Sequence, residues 1–420
     1  VDTLSISSVR FLDYDYRDIY GSFSYGKGNI DGIIRCADPN LMFNLDTRMH
    51  IGGPGVAGPG RMTLDIPLAN LEKLAFYDTY GTAKIECGID LSINGTLMGD
   101  GETALYIRDL RMEDKEGWKD ISDIAAGATS KGKRQNIVLY SNIADMQFNG
   151  DGQITDMIRF LKGSVIGKHL PSLLKGTSED TLPANYDLLV NLSNARSILQ
   201  LFVPDIYIAD NTAMAMKITE DGKMQAYVSS PRLAKGKNYL KNVGLNISND
   251  EDILNCSLAS DDIRLAGLAA SNGMATILMD NDLIDLDLHF DGTRATGDKG
   301  SIMVDCKLSR DMNDSLLVSI NPTSSFLTIG SHTWTVGESG VLLKGSDISI
   351  PSFSIGYDEN HFVNLSGGLS RSSRDTLNMN IRNLELGLAN DLLEKDYQLK
   401  GELRGTASLF SPFGDNFGME

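Results

Sequence analysis

His50, His169, His289, His332 and His361 are the chain's only histidines, and so its main stock of general bases and metal ligands. None stands within ligand spacing of another and none neighbours a cysteine, so no zinc pattern is present. Cys36, Cys87, Cys256 and Cys306 are far apart and form no Cys-x-x-Cys. Three of them sit at strand parity, as in Ile85-Glu-Cys87-Gly-Ile89, and read as small buried hydrophobes rather than disulfide partners. Asp285 and Asp287 are paired carboxylates of the kind that calcium and glycoside chemistry use. They alternate with Ile284, Leu286, Leu288 and Phe290, which places them as solvated residues on the polar face of a strand. Asp114-Lys-Glu-Gly-Trp118-Lys-Asp120 hints at a carbohydrate site and reads more simply as a loop with a packed aromatic. The glycine-rich Gly52 to Gly60 fails as a phosphate loop, because no Lys-Ser/Thr follows. No nucleophile elbow, His-Glu-x-x-His or Walker loop occurs. The chain reads as a non-enzyme without a cofactor.

The elements around these residues are hairpins. In His361 to Ile381, Leu377, Met379 and Ile381 alternate with Asn378 and Asn380, the period-two signature of a strand. The polar run Ser370 to Asp375 reads as the loop before it. The unit recurs upstream without a gap: Val304 to Ile320 aligns on Leu365 to Ile381, Leu308-Ser-Arg on Leu369-Ser-Arg, and Asp314-Ser-Leu on Asp375-Thr-Leu. Loose repeats of this kind grow by stacking along one axis. The longest clean alternation is Ile85, Cys87, Ile89, Leu91, Ile93. Pro351 lies between Ile348/Ile350 and Phe353/Ile355, whose parity shifts, and marks a bulge or edge. The longest helical spacing is at 153–175, where Ile154, Met157, Ile158, Leu161, Val165 and Leu170 share a face; it reads as a helix covering the end or mouth of a sheet, with a membrane-surface helix as the alternative. Pro67 to Ala75 and Asn194 to Leu201 read as short helices, and Glu113 to Arg134 as a mobile or locally helical loop.

Composition narrows the function. A formal charge of −18 excludes nucleic acid, whose phosphates demand a basic face, and argues against docking on anionic lipid headgroups. Hydrophobic content is 41%, with no apolar run near the ~18–20 residues of a membrane helix. Without an initiating Met or a signal segment, the chain reads as a piece of a longer protein. Asp-Ser/Thr-Leu, at Asp2, Asp180, Asp314 and Asp375, matches an O-glycosylation pattern of some exported bacterial proteins; more simply, Asp ends a turn and Ser or Thr opens a strand. The apolar strand faces have two possible fates. A second sheet can bury them, or the growing sheet can curl and enclose an apolar channel.

Trp334, Ile348-Ser-Ile350, Phe353-Ser-Ile355, Leu365-Ser-Gly-Gly-Leu-Ser-Arg, Asp375-Thr-Leu and Leu399-Lys-Gly-Glu-Leu-Arg-Gly-Thr-Ala407 together resemble the TamB family of AsmA-like proteins. The resemblance implies an elongated, all-β, mostly antiparallel sheet curled into a taco-like apolar groove. It implies the periplasm of a diderm bacterium, an inner-membrane anchor outside this piece, and an Omp85-class outer-membrane barrel as partner. It also implies phospholipid movement between the membranes and a link to outer-membrane protein assembly. The alternatives are a scaffold that binds β-strands of client proteins by edge addition, or a glycan-binding adhesin. The expected division is a β segment over 1–176, a linker over 177–186 and a second β segment over 187–420. Expected groove-lining residues are Leu286, Leu288, Phe290, Val304, Leu308, Leu316, Val318, Ile320, Ile348, Ile350, Leu377, Met379 and Ile381.

Overall fold

The structure, a computed structural model, describes residues 2–53, 56–74, 84–95, 100–114, 117–121, 123–174, 183–194, 196, 205–249, 252–265, 268–292, 299–329, 332–370, 375–387, 399–410 and 418–419. Among these residues it is nearly all β, an antiparallel meander of hairpins with one short helical segment. Two compact units divide it: 1–157 with 184–220, and 158–183 with 221–420.

In the first unit successive strands pair with their sequence neighbours. Asp2–Phe11, Tyr14–Gly26, Asn29–Asp38, Leu41–Gly53, Val56–Asn70, Lys84–Gly95 and Gly101–Asp114 follow one another. Ile124–Lys131, Arg134–Ser141, Ala144–Gly150, Tyr186–Leu192 and Thr212–Ile218 continue the ladder. The contacts part at 157/158, 183/184 and 220/221. Tyr186–Leu192 stays in the first unit because it bridges Ala144–Gly150 and Thr212–Ile218; residues 177–182 themselves lie outside the described residues, as does most of the helix expected over 194–201.

The second unit runs from Met224–Lys235 through Asn238–Ser248, Leu254–Leu265, Leu268–Asp280, Leu283–Gly292 and Lys299–Arg310. Leu316–Pro322, Gly340–Lys344, Asp347–Asp358, His361–Leu369, Thr376–Glu385 and Glu402–Phe410 extend it. Tight turns follow from local chemistry. Asn281 and Asp282, at φ 45° and 68°, make the two-residue hairpin loop whose left-handed backbone matches strand twist.

The two prolines at 67 and 351 mark bulges. Ile66 faces Cys87 and Ala69 faces Ile85, three residues against two. Likewise Ile350 faces Gly367 and Phe353 faces Leu365. Proline has no amide to give the ladder, so the unpaired bulge position accommodates it. This removes the helix expected at 67–75: the strand runs through Pro67 to Asn70 and only Leu71–Leu74 turn away. The loop expected at 113–134 is also strand, Gly117–Asp120 and Ile124–Lys131. The helix expected over 153–175 is shorter and changes pitch, with an α-helix at Ile154–Phe160 followed by π-helical Leu161–Gly167.

Buried cores gather where connections fold back on the strands. In the first unit Met112, Ile121 and Ile143 form one, and Tyr16, Ala69 and Leu74 another. In the second, the helical segment buries Val165, His169 and Leu170.

Candidate functional site

Strand partners in a ladder share a face, so the register says which side chains stand together. In the first unit one row reads Met62, Leu91, Leu105, Ala126, Leu139, Met146, Val190, Met214 across eight strands. In the second, a row reads Val228, Leu245, Leu258, Ala275, Leu288, Ile302. Each unit therefore carries a continuous apolar face.

The register brings the whole expected set onto that face of the second unit. Leu286 faces Val304, and Leu308 faces Val318. Val318 faces Leu343, which faces Ile348. Ile350 faces Gly367, which faces Leu377. Leu288, Phe290, Leu316, Ile320, Met379 and Ile381 follow by parity. Leu308, Ile350 and Leu377 are buried and the rest are half-buried. The set expected from sequence stopped at Leu286. The same alternation, already visible in Ile85 to Ile93, extends the face to Leu245 and Leu258, and gives the first unit a face of its own.

All four cysteines stand on these faces. Cys36 belongs to the Ile34 parity, Cys87 faces Ile66, Cys256 lies between Ile247 and Ile277, and Cys306 between Ile284 and Ile320. They are free thiols. Burial pushes each thiol pKa up, which suppresses the thiolate and its reactivity.

At one end of the second unit's face His332 and His361 stack on opposite sides of Tyr357, at ring distances of 4.3 and 4.4 Å. Trp334 meets Tyr357 edge-on at 4.9 Å. The intervening phenol ring keeps the imidazoles apart, and among the described residues no three metal-ligating side chains cluster. The Asp285/Asp287 pair stays on the opposite, polar face, where His289 lies 2.8 Å from Asp287. Trp118 is half-exposed with the Arg111 guanidinium over its ring at 5.3 Å.

The polar face of the first unit is different in kind. A row across it reads Ile33, Asp46, Thr63, Asp90, Tyr106, Ala125, Tyr140. Arg108 holds the neighbouring carboxylates, Nη2 at 2.5 Å from Asp65 and Nε at 3.1 Å from Asp90. Its guanidinium occupies the space that a Cβ on Gly88 would take. Thr63 donates to Asp90 at 3.0 Å. A trough of about 1180 Å³ opens on this face. Thr63, Asp90, Tyr106, Ala125 and Tyr140 of this row line it, and so do Met62, Leu91, Leu105 and Ala126 beside them in the chain. Smaller hollows of about 330 and 940 Å³ continue it past Asn94, Glu102, Thr129 and Asn136. A twisted sheet is saddle-shaped, so it can be hollow on both faces along different diagonals.

No family model, curated protein or solved structure matches the chain.

Proposed function

We propose that the chain is a non-enzymatic conduit for phospholipid acyl chains, a TamB-like piece working in the periplasm of a diderm bacterium between inner and outer membranes. One observation supports this reading most directly. Apolar rows run unbroken across the strands of each unit, yet most of their side chains are half-buried rather than packed into a core. Apolar surface of that extent marks a binding face. Acyl chains suit it because they need continuous apolar contact and no hydrogen bonds. On this reading an Omp85-class barrel receives the lipid and an inner-membrane anchor outside this piece holds the protein in place.

Organic extraction of the purified chain followed by mass spectrometry tests the reading. Co-purifying phospholipid is the expected result, and a lipid-free protein that takes up no phospholipid from vesicles overturns it.

A further inference from the structure

The trough on the charged face of the first unit is a second site, where aromatic rings and charged groups stand together. Tyr106 and Tyr140 are 40% and 51% exposed. They occupy the same register row with only Ala125 between them. With strands about 4.8 Å apart, the two rings are carried about 10 Å apart on one face. Ala125 leaves the floor between them low. The Tyr106 hydroxyl donates to Asp123 at 2.5 Å, so that side chain is held in place before any ligand arrives.

The polar groups around the rings are not idle charges. Asp65 and Asp90 share the Arg108 guanidinium, which offsets one of their two charges, so they are not a bare anionic cluster that would call a cation. Arg61, one row away, lines the trough without an ion pair among the described residues. It is free to donate to a ligand's oxygens. Stacking rings, a low floor between them and spare donors at the side are what a sugar chain requires: its C–H faces lie on aromatic rings while its hydroxyls take hydrogen bonds. An acidic protein does not offer that combination to nucleic acid.

We propose that this trough binds an extended β-1,4-linked glycan, laid across the strands with alternate sugars over Tyr106 and Tyr140. The equatorial linkage makes such a chain a flat ribbon in which every second sugar presents the same face, and its two-sugar repeat matches the ring separation. An α-1,4 chain coils and cannot keep both rings covered. The amide- and hydroxyl-rich continuation past Asn94 and Asn136 gives the chain room beyond these two contacts.

The test is isothermal titration of the 420-residue chain with chitohexaose and cellohexaose, with maltohexaose as comparator. At least one β-1,4 hexamer is expected to bind and maltohexaose is not. Tyr140→Ala should weaken binding by roughly three- to tenfold, the factor that an aromatic contact of about 0.5–1.5 kcal/mol accounts for. Tyr140→Phe, which keeps the ring, should retain it, and Arg61→Ala should weaken it. Tyr140 is exposed, so circular dichroism of both variants should match the parent. The proposal is overturned if neither β-1,4 hexamer binds at millimolar concentration, if maltohexaose binds as well as they do, or if Tyr140→Ala binds unchanged. None of these readouts depends on lipid at the apolar face.

Discussion

The backbone amide of Asp282 donates to the carbonyl oxygen of His169 at 2.8 Å. The Asp282 carboxylate in turn accepts the amide and hydroxyl of Ser172, both at 2.8 Å. A tight hairpin tip thus fastens the helical segment to the sheet of the second unit, and Arg310 adds a bond to the Ser172 carbonyl at 3.0 Å.

His169 makes this junction sensitive to pH. It is 1% exposed and its Nδ1 has no hydrogen-bond partner among the described residues. Burial, helped by Lys168, holds the imidazole below its ordinary value of 6.5, against the opposing pull of Asp280 and Asp252. In the unfolded chain the ring takes its proton near 6.5, while the folded state keeps it neutral. As pH falls below that value the unfolded state binds the extra proton and stability drops, until the lowered folded value is reached. The slope is at most about 1.4 kcal/mol per pH unit. Urea denaturation at pH 7.5 and 5.5 should show a larger loss for the parent than for His169→Phe. Equal losses would mean that the ring is not held neutral.

Charge on the apolar face of the second unit separates a trough from a core. Val318→Asp and Met379→Asp should stay folded and melt cooperatively, because a half-buried position leaves the carboxylate access to water. Bound phospholipid should be lost. In a closed core the same carboxylate would be buried unpaired at a cost of several kcal/mol, which unfolds a domain. Failure of both variants to fold would therefore refute the conduit reading for this segment.

The thiols report on the same surface without altering it. Cys256 and Cys306 are half-buried on the apolar face, with their ionisation suppressed by burial. Both should react slowly with a maleimide in the folded chain and more slowly still after incubation with phospholipid vesicles. Labelling followed by peptide mass spectrometry gives the rates; indifference to lipid would contradict occupancy of the face.

Stability should be distributed unevenly between the faces of the first unit. Phe148 is fully buried and its ring lies 6.1 Å from that of Tyr186. Phe148→Ala should cost about 3–5 kcal/mol. Arg108→Ala removes two ion pairs that remain open to solvent and should cost no more than about 1 kcal/mol. Chemical denaturation of both variants checks the contrast.

Strand existence and facing were legible in the sequence because a period of two is a local signal. Ile85 to Ile93 and Leu377 to Ile381 show it in a handful of residues. Register was not. The repeat of Val304–Ile320 in Leu365–Ile381 implies equal pairing, so that Leu369 would face Met379 as Leu308 faces Val318. Instead Met379 faces Leu365. The second hairpin has slipped by an even number of positions, which changes partners and preserves the face. Pro67 misled because a short apolar run fits a helix and a bulged strand equally well. The Tyr106–Tyr140 pair was invisible for another reason: the two residues are brought together only by three strands in register.

The bulges at Pro67 and Pro351 act as parity correctors. An inserted residue in a strand would ordinarily turn every later side chain inside out, and a bulge absorbs it locally so that the next hairpin resumes on the correct side. A unit built this way can lengthen or shorten by whole hairpins, or gain a stray residue, and keep its own apolar face uninterrupted. The span such a protein covers can therefore change over evolutionary time without redesign of the surface that covers it.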